Sequence, residues 1–522
     1  MLLKRLARFG GVALLGLLAT AGWSQATKPA DDRPAGKEAK EDGGIPVPPE
    51  TNTPTKHDLT VGGRLIHYTA TAGNLLIRDE QGKPNGSIFY VAYTEDGVEA
   101  KSRPVTFFYN GGPGAATIWL HMGSFGPVRV VTQAPEATAP APYSYVPNDY
   151  SLLDKSDLVF IDAPMAGFSR AVGKGTIKDF AGTDQDIAAF RKFIERYITV
   201  NQRWNSPKFL FGESYGTTRS AGLVAALQND GVAFNGVVLL SSILNYNIRN
   251  PGYDSESIGY FPSFAAIGYF HKKVKASGSI AEWVQQAREF ARGPYAQALA
   301  QGDRISKSEL DSIAAKVSSF TGLDVNYVKE ARLRISAPRF RKELMRGDDR
   351  TLGRYDARFM GWDPDEAGET PGYDPSDTGI SSVYVGAFHD YIQRDLKYMS
   401  QETYYTSGPG LNAAWDFKHK PSGIQGGGGR GEQSAPDTAM DLSDAMRKNP
   451  RLKVFSANGY FDLATPFFIT EYDLSHMSLP EPLVGNVSFG YYPAGHMVYL
   501  NVDALREMKA DMAKFYASAL HN

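Results

Sequence analysis

The chain has 522 residues, 42% of them hydrophobic. That is more than a single small core needs, so one large or two ordinary domains are expected. Its 55 basic and 57 acidic residues leave a formal charge of −2, which excludes a general electrostatic pull toward nucleic acid or anionic lipid. No cysteine is present, which excludes a thiol nucleophile, a disulfide scaffold, a thiolate metal site and lipid attachment through sulfur.

Lys4, Arg5 and Arg8 precede an apolar run from Gly10 to about Ala21, and the small residues Ser24 and Ala26 follow. This pattern reads as a signal peptide over 1–26, too short for a comfortable membrane span; an uncleaved anchor is the alternative. Residues 27–56 are rich in Lys, Asp, Glu, Pro and Gly, a composition expected to form a flexible tether. The alternating stretch from Asp58 to Asp79 predicts a β-hairpin turning near Gly62-Gly63. Buried strands are expected at Ile88–Tyr93, Val105–Tyr109, Leu158–Ile161, Lys208–Phe211 and Val237–Leu240. Between them, helices are expected from Thr183, with Asp186 as its capping partner, and after Ser214.

This alternation argues for a mostly parallel sheet flanked by helices, with a first core part over 57–245. Residues 246–400 read as a helical cap insertion, with helices around Trp283–Ala300 and Ser308–Phe320. Residues 401–440 read as a loop region whose Gly-rich part is mobile. Residues 441–522 return to the core through strands at Leu452–Ala457 and Val487–Tyr492 and a closing helix from Val502 to Leu520. No later run is apolar enough to span a membrane, so after signal cleavage the chain is expected to be a soluble periplasmic or secreted protein.

G-E-S-Y-G at 212–216 follows an apolar strand and opens a helix. A nucleophile elbow needs that context: Gly212 and Gly216 let the strained turn lift the Ser214 hydroxyl clear of the sheet. N-G-G-P-G at 110–114 follows the strand ending at Tyr109. Glycine N–H groups there could receive a developing oxyanion, with Gly112 and Tyr215 as donors; an ordinary tight turn is the plainer alternative. His496 in P-A-G-H-M is the base candidate, and Asp462 in N-G-Y-F-D-L-A-T-P is its orienting acid. The order Ser, Asp, His is that of the α/β-hydrolase fold.

Other motifs read as structural. His121, close to the first glycine turn, is expected to pack rather than react. Gly173-Lys174-Gly175 lacks phosphate-loop spacing and is expected to be a turn. Tyr404-Tyr405 and Phe467-Phe468 are pocket or core candidates. The sequence holds no H-E-x-x-H and no His/Asp cluster with metal-ligand spacing, so no metal and no cofactor are expected.

Five blocks together resemble the serine carboxypeptidase family, as a bacterial-type homologue: Y-N-G-G-P-G (109–114), I-D-A-P-M-A-G-F-S (161–169), G-E-S-Y-G (212–216), N-G-Y-F-D (458–462) and G-H-M-V (495–498). The resemblance implies an α/β-hydrolase core with an inserted helical cap. It implies an acyl-enzyme on Ser214, a proton shuttle at His496, Asp462 holding the imidazolium, and an oxyanion hole at Gly112 and Tyr215. It further implies that Asn110 and Glu213 read the free C-terminal carboxylate of a peptide, the Glu213 carboxyl donating while protonated; a purely structural carboxylate is the alternative. The chain departs from the family's pattern at Ser124, where a second Glu is usual, at Phe108 in place of Trp, and at Ala115 in place of Cys. The expected activity is therefore a serine carboxypeptidase acting without cofactor on peptides with a free C-terminus, with no nucleic-acid partner. The alternatives are an esterase or acyltransferase on the same residues and a binding protein that has lost catalysis. Oligomeric state and side-chain preference are not legible.

Overall fold

The structure, a computed structural model, describes residues 44–249, 252–421 and 431–520. The expected signal peptide 1–26, the first part of the tether and most of the Gly-rich run lie outside the described residues.

Among the described residues the main sheet has ten strands. Nine form its path: β1 (Thr51–Val61), β2 (Arg64–Arg78), β3 (Pro84–Glu95), β4 (Val105–Tyr109), β5 (Asp157–Ile161), β6 (Lys208–Glu213), β7 (Gly236–Leu240), β8 (Lys453–Gly459) and β9 (Val487–Tyr492). Their spatial order is β1-β2-β3-β5-β4-β6-β7-β8-β9, and a two-residue strand at Arg170–Ala171 adds to β3. The three N-terminal strands run antiparallel, and the six from β5 to β9 pair in parallel. The central parallel strands are short and mostly apolar, as strands buried on both faces are; every residue of β4, β5, β6 and β7 is buried. This is the α/β-hydrolase architecture expected from the strand–helix alternation.

Three expectations need correction. β1 begins at Thr51, inside the segment read as a tether. Its side chains are polar and mostly exposed, so composition points to disorder, but β2 supplies a complete antiparallel ladder from Thr51 to Val61. The stretch read as a loop between 401 and 440 is pinned where it is described: Gly408 N–H donates to the Gly114 carbonyl at 2.9 Å, and Gly167 and Tyr405 exchange backbone hydrogen bonds. The helix Ser381–Arg394 falls in the segment read as cap, yet its Tyr384, Phe388 and Tyr391 pack in the main core.

A separate apolar core gathers Phe261, Phe264, Trp283, Phe290, Phe320 and Phe340 from the inserted helices. Tyr460, Phe461 and Leu463 join it from the loop after β8. The inserted layer thereby grips both sides of Asp462. No described helix is long and apolar enough to cross a membrane.

Candidate active site

Four of the five sequence blocks converge at the carboxyl ends of β4, β6, β8 and β9, where the parallel strands of an open α/β sheet leave their binding crevice. One cavity of about 90 Å³ is lined there by Asn110, Gly111, Gly112, Glu213, Ser214 and His496, among others.

Ser214 sits between β6 and the helix Tyr215–Asn229 at φ 61° and ψ −129°, a backbone state costly for a residue with a side chain. Small neighbours permit it. A Cβ on Gly212 would strike the Gly216 carbonyl and the Ser220 hydroxyl, and one on Gly216 would come within 2.9 Å of the Tyr109 carbonyl. Gly111 is equally confined, since its Cβ would collide with the Tyr215 nitrogen. The glycine turn and the elbow therefore lie backbone against backbone. Tyr215 opens the helix, so its N–H lacks an intrahelical acceptor and is free to serve a ligand.

Asp462 and His496 are brought together, with Nδ1 2.8 Å from Oδ2. The acid also accepts from the backbone N–H groups of Ala464 and Thr465, at 2.7 and 2.9 Å, and from the Thr465 hydroxyl at 2.7 Å. Burial would raise the Asp462 carboxyl, but the facing imidazole and these donors hold it below the ordinary carboxylate range. Burial likewise opposes charge on His496, yet the Asp462 carboxylate lifts its pKa above the usual histidine value. The backbone that carries the ring is held on both sides: the His496 main-chain N–H donates to the Tyr355 carbonyl at 2.6 Å, and the Ser241 hydroxyl donates to the His496 main-chain carbonyl at 2.6 Å. Ser214 and His496 share the cavity. No hydrogen bond joins the serine hydroxyl to the ring among the described residues, a contact that in unliganded enzymes often forms only with substrate.

Glu213 and Asn110 form the other wall. Burial pushes the Glu213 carboxyl up to about 7, against the lowering pull of His496 and of the Tyr499 hydroxyl, which donates to it at 2.8 Å. Asn110 is oriented by its surroundings. Its Oδ1 accepts from the Leu120 N–H at 2.9 Å, and its backbone carbonyl accepts from Arg219 at 2.8 Å. That leaves the amide N–H₂ facing Glu213 and Tyr499.

Several supports were not anticipated. Asp186, expected to cap its helix, is instead the buried partner of Arg219 at 2.6 Å, and the helix Thr183–Val200 starts on Gly182 without a side-chain cap. Arg219 is fully buried, lies over the Phe190 ring at 4.0 Å and ties the elbow helix to the glycine turn. The I-D-A-P block also has a mechanical role: buried Asp162 accepts from the Thr117 N–H at 2.8 Å and the Tyr404 hydroxyl at 3.1 Å, bracing the segment after the glycine turn. An Arg amid small residues in 215–222 was the one available sequence signal. Tyr355 and Tyr499 offered none.

The departures are also placed. The Ser124 hydroxyl is buried and spent on the Leu120 carbonyl at 2.6 Å, and Phe108 stacks between Phe160 and Phe211. Ala115 lines the cavity. His121 is buried against Phe160 and Tyr93, and burial drives its pKa down to about 3, so it stays neutral. Tyr404 and Phe467 pack in cores.

The serine carboxypeptidase family model matches residues 67–289. The pheromone-processing carboxypeptidase KEX1 of Cryptococcus gattii serotype B is 26% identical over 173 residues, 33% of this chain, and the match spans about a quarter, 24%, of that relative's length. Among solved structures, the prohormone-processing carboxypeptidase KEX1(ΔP) of Saccharomyces cerevisiae superposes with a TM-score of 0.53 at 16% identity, covering 86% of this chain and 91% of that one. That likeness bears out the fold, and the family match, which takes in the first three of the five blocks, bears out the resemblance.

Proposed function

We propose that this chain is a serine carboxypeptidase, hydrolysing C-terminal peptide bonds through an acyl-enzyme on Ser214. In this reading His496 Nε2 takes the Ser214 proton as Oγ attacks the scissile carbonyl carbon. The N–H groups of Gly112 and Tyr215 receive the oxyanion. Asp462 stabilises the imidazolium, which then gives its proton to the leaving amine of the C-terminal residue. Water repeats the sequence on the ester, releasing the shortened peptide.

The observation that carries the reading is Glu213. A buried carboxyl poised near pH 7, with Asn110 beside it, shares a wall with Ser214 and His496. A neutral carboxyl and an amide N–H₂ are two donors, which suits a substrate that ends in a carboxylate. Ester or acyl-transfer chemistry on the same residues is the second reading, favoured by Ser124, which offers no second carboxyl to the cleft. The Lys4-to-Ala26 pattern supports export, to the periplasm or outside the cell. Labelling by a fluorophosphonate tests the nucleophile: Ser214→Ala is expected to abolish it, and labelling that persists assigns the nucleophile elsewhere.

A further inference from the structure

A second cavity lies behind the carboxyl wall of the cleft. It measures about 280 Å³, and its lining includes Arg129, Thr132, Arg358, Tyr384 and Tyr499 but no Asp or Glu. Tyr499 is the partition, since its hydroxyl is given to Glu213 on the cleft side. Arg358 is already committed, paired with Asp356 at 2.6 Å.

Arg129 is not. It stands on the short strand Val128–Val130, half-buried, and its guanidinium has no ion-pair or hydrogen-bond partner among the described residues. A guanidinium is costly to withdraw from water uncompensated. Tyr384 gives an independent sign. Its side chain is 1% exposed and lines this cavity, yet its hydroxyl has no hydrogen-bond partner among the described residues.

We propose that this cavity binds a small oxyanion, with Arg129 as its ion-pair partner and the Tyr384 hydroxyl as its neutral donor. A phosphate ion and a small carboxylic acid share that chemistry, and the space accommodates either. The site does not depend on the reaction proposed for the cleft, and its test needs no turnover.

Thermal unfolding of the full chain, titrated with inorganic phosphate or with succinate at ionic strength held constant by sodium chloride, tests it. The wild type is expected to show a saturable rise in Tm. Arg129→Gln should move the midpoint to anion concentrations at least about tenfold higher, and Tyr384→Phe about threefold higher. Far-UV circular dichroism without anion verifies that both variants are folded. A rise with phosphate alone assigns the site to phosphoryl groups, and one with succinate alone to carboxylates. Equal rises in wild type and Arg129→Gln, or no rise with either anion, overturn the proposal.

Discussion

Glu213→Gln is the perturbation that separates a carboxylate reader from a structural acid. With the Glu213 pKa near 7, about 90% of the free enzyme carries a protonated Glu213 at pH 6 and about 10% at pH 8. On the proposed reading, protonated Glu213 donates to the substrate carboxylate and ionised Glu213 repels it. kcat/KM on a peptide acid, which reports the free enzyme, should therefore fall about tenfold between pH 6 and pH 8 relative to kcat/KM on an ester, whose profile carries the ionisation of His496 alone. Gln cannot ionise, its amide N–H₂ donates at any pH, and its carbonyl can still accept from Tyr499. The variant should lose the alkaline fall on a peptide acid and overtake the wild type at pH 8. On an ester lacking a terminal carboxylate, the two proteins should share one profile in that range. The assay is kcat/KM against pH on both substrates. An alkaline fall that survives the substitution, or that moves equally on acid and ester, refutes the reasoning.

Two more expectations follow from the packing. Gly212→Ala sets a methyl against the Gly216 carbonyl, and backbone on that side has nowhere to go. Overpacking of this kind costs about 1–3 kcal/mol, so stability should drop and fluorophosphonate labelling should collapse; labelling at the wild-type rate contradicts the elbow geometry. His419 lies between Asp184 and Asp441 at 2.6 and 2.8 Å, and although burial opposes its charge, the two carboxylates raise its pKa to about 9. A raised folded-state pKa stabilises fully below the unfolded value of about 6.5 and is lost as pH climbs through 9; the span corresponds to on the order of 3 kcal/mol. Urea unfolding should show a gap between wild type and His419→Gln at pH 6 that closes by pH 9.5, and a gap that does not change with pH contradicts the assignment.

The strands that present the site were legible because each is a short apolar run closed by turn residues, as at Val105–Tyr109 before Asn110 and Lys208–Phe211 before Gly212. Gly111, Gly212 and Gly216 were legible because only glycine tolerates backbone packed on backbone. What escaped is long-range. Asp186 has the spacing of a cap, and nothing in its helix shows that Arg219, thirty-three positions on, claims its carboxylate. Tyr499 lies one turn past His496 and reads as an ordinary aromatic, though it holds Glu213. The apolar stripe of Ser381–Arg394 announces a buried face without saying which core buries it. β1 was hidden for a different reason, since composition reports on side chains and the ladder of Thr51–Val61 is made by backbone.

The central claim is that the cleft reads a free C-terminus. A blocked peptide and its C-terminally amidated twin, each incubated with purified enzyme at pH 5 and pH 7 and followed by mass spectrometry, test it most directly. Stepwise loss of C-terminal residues from the acid, with the amide cut more slowly, is the predicted result. Neither peptide being cut while a simple ester is still hydrolysed, or both being cut at equal rates, would contradict it.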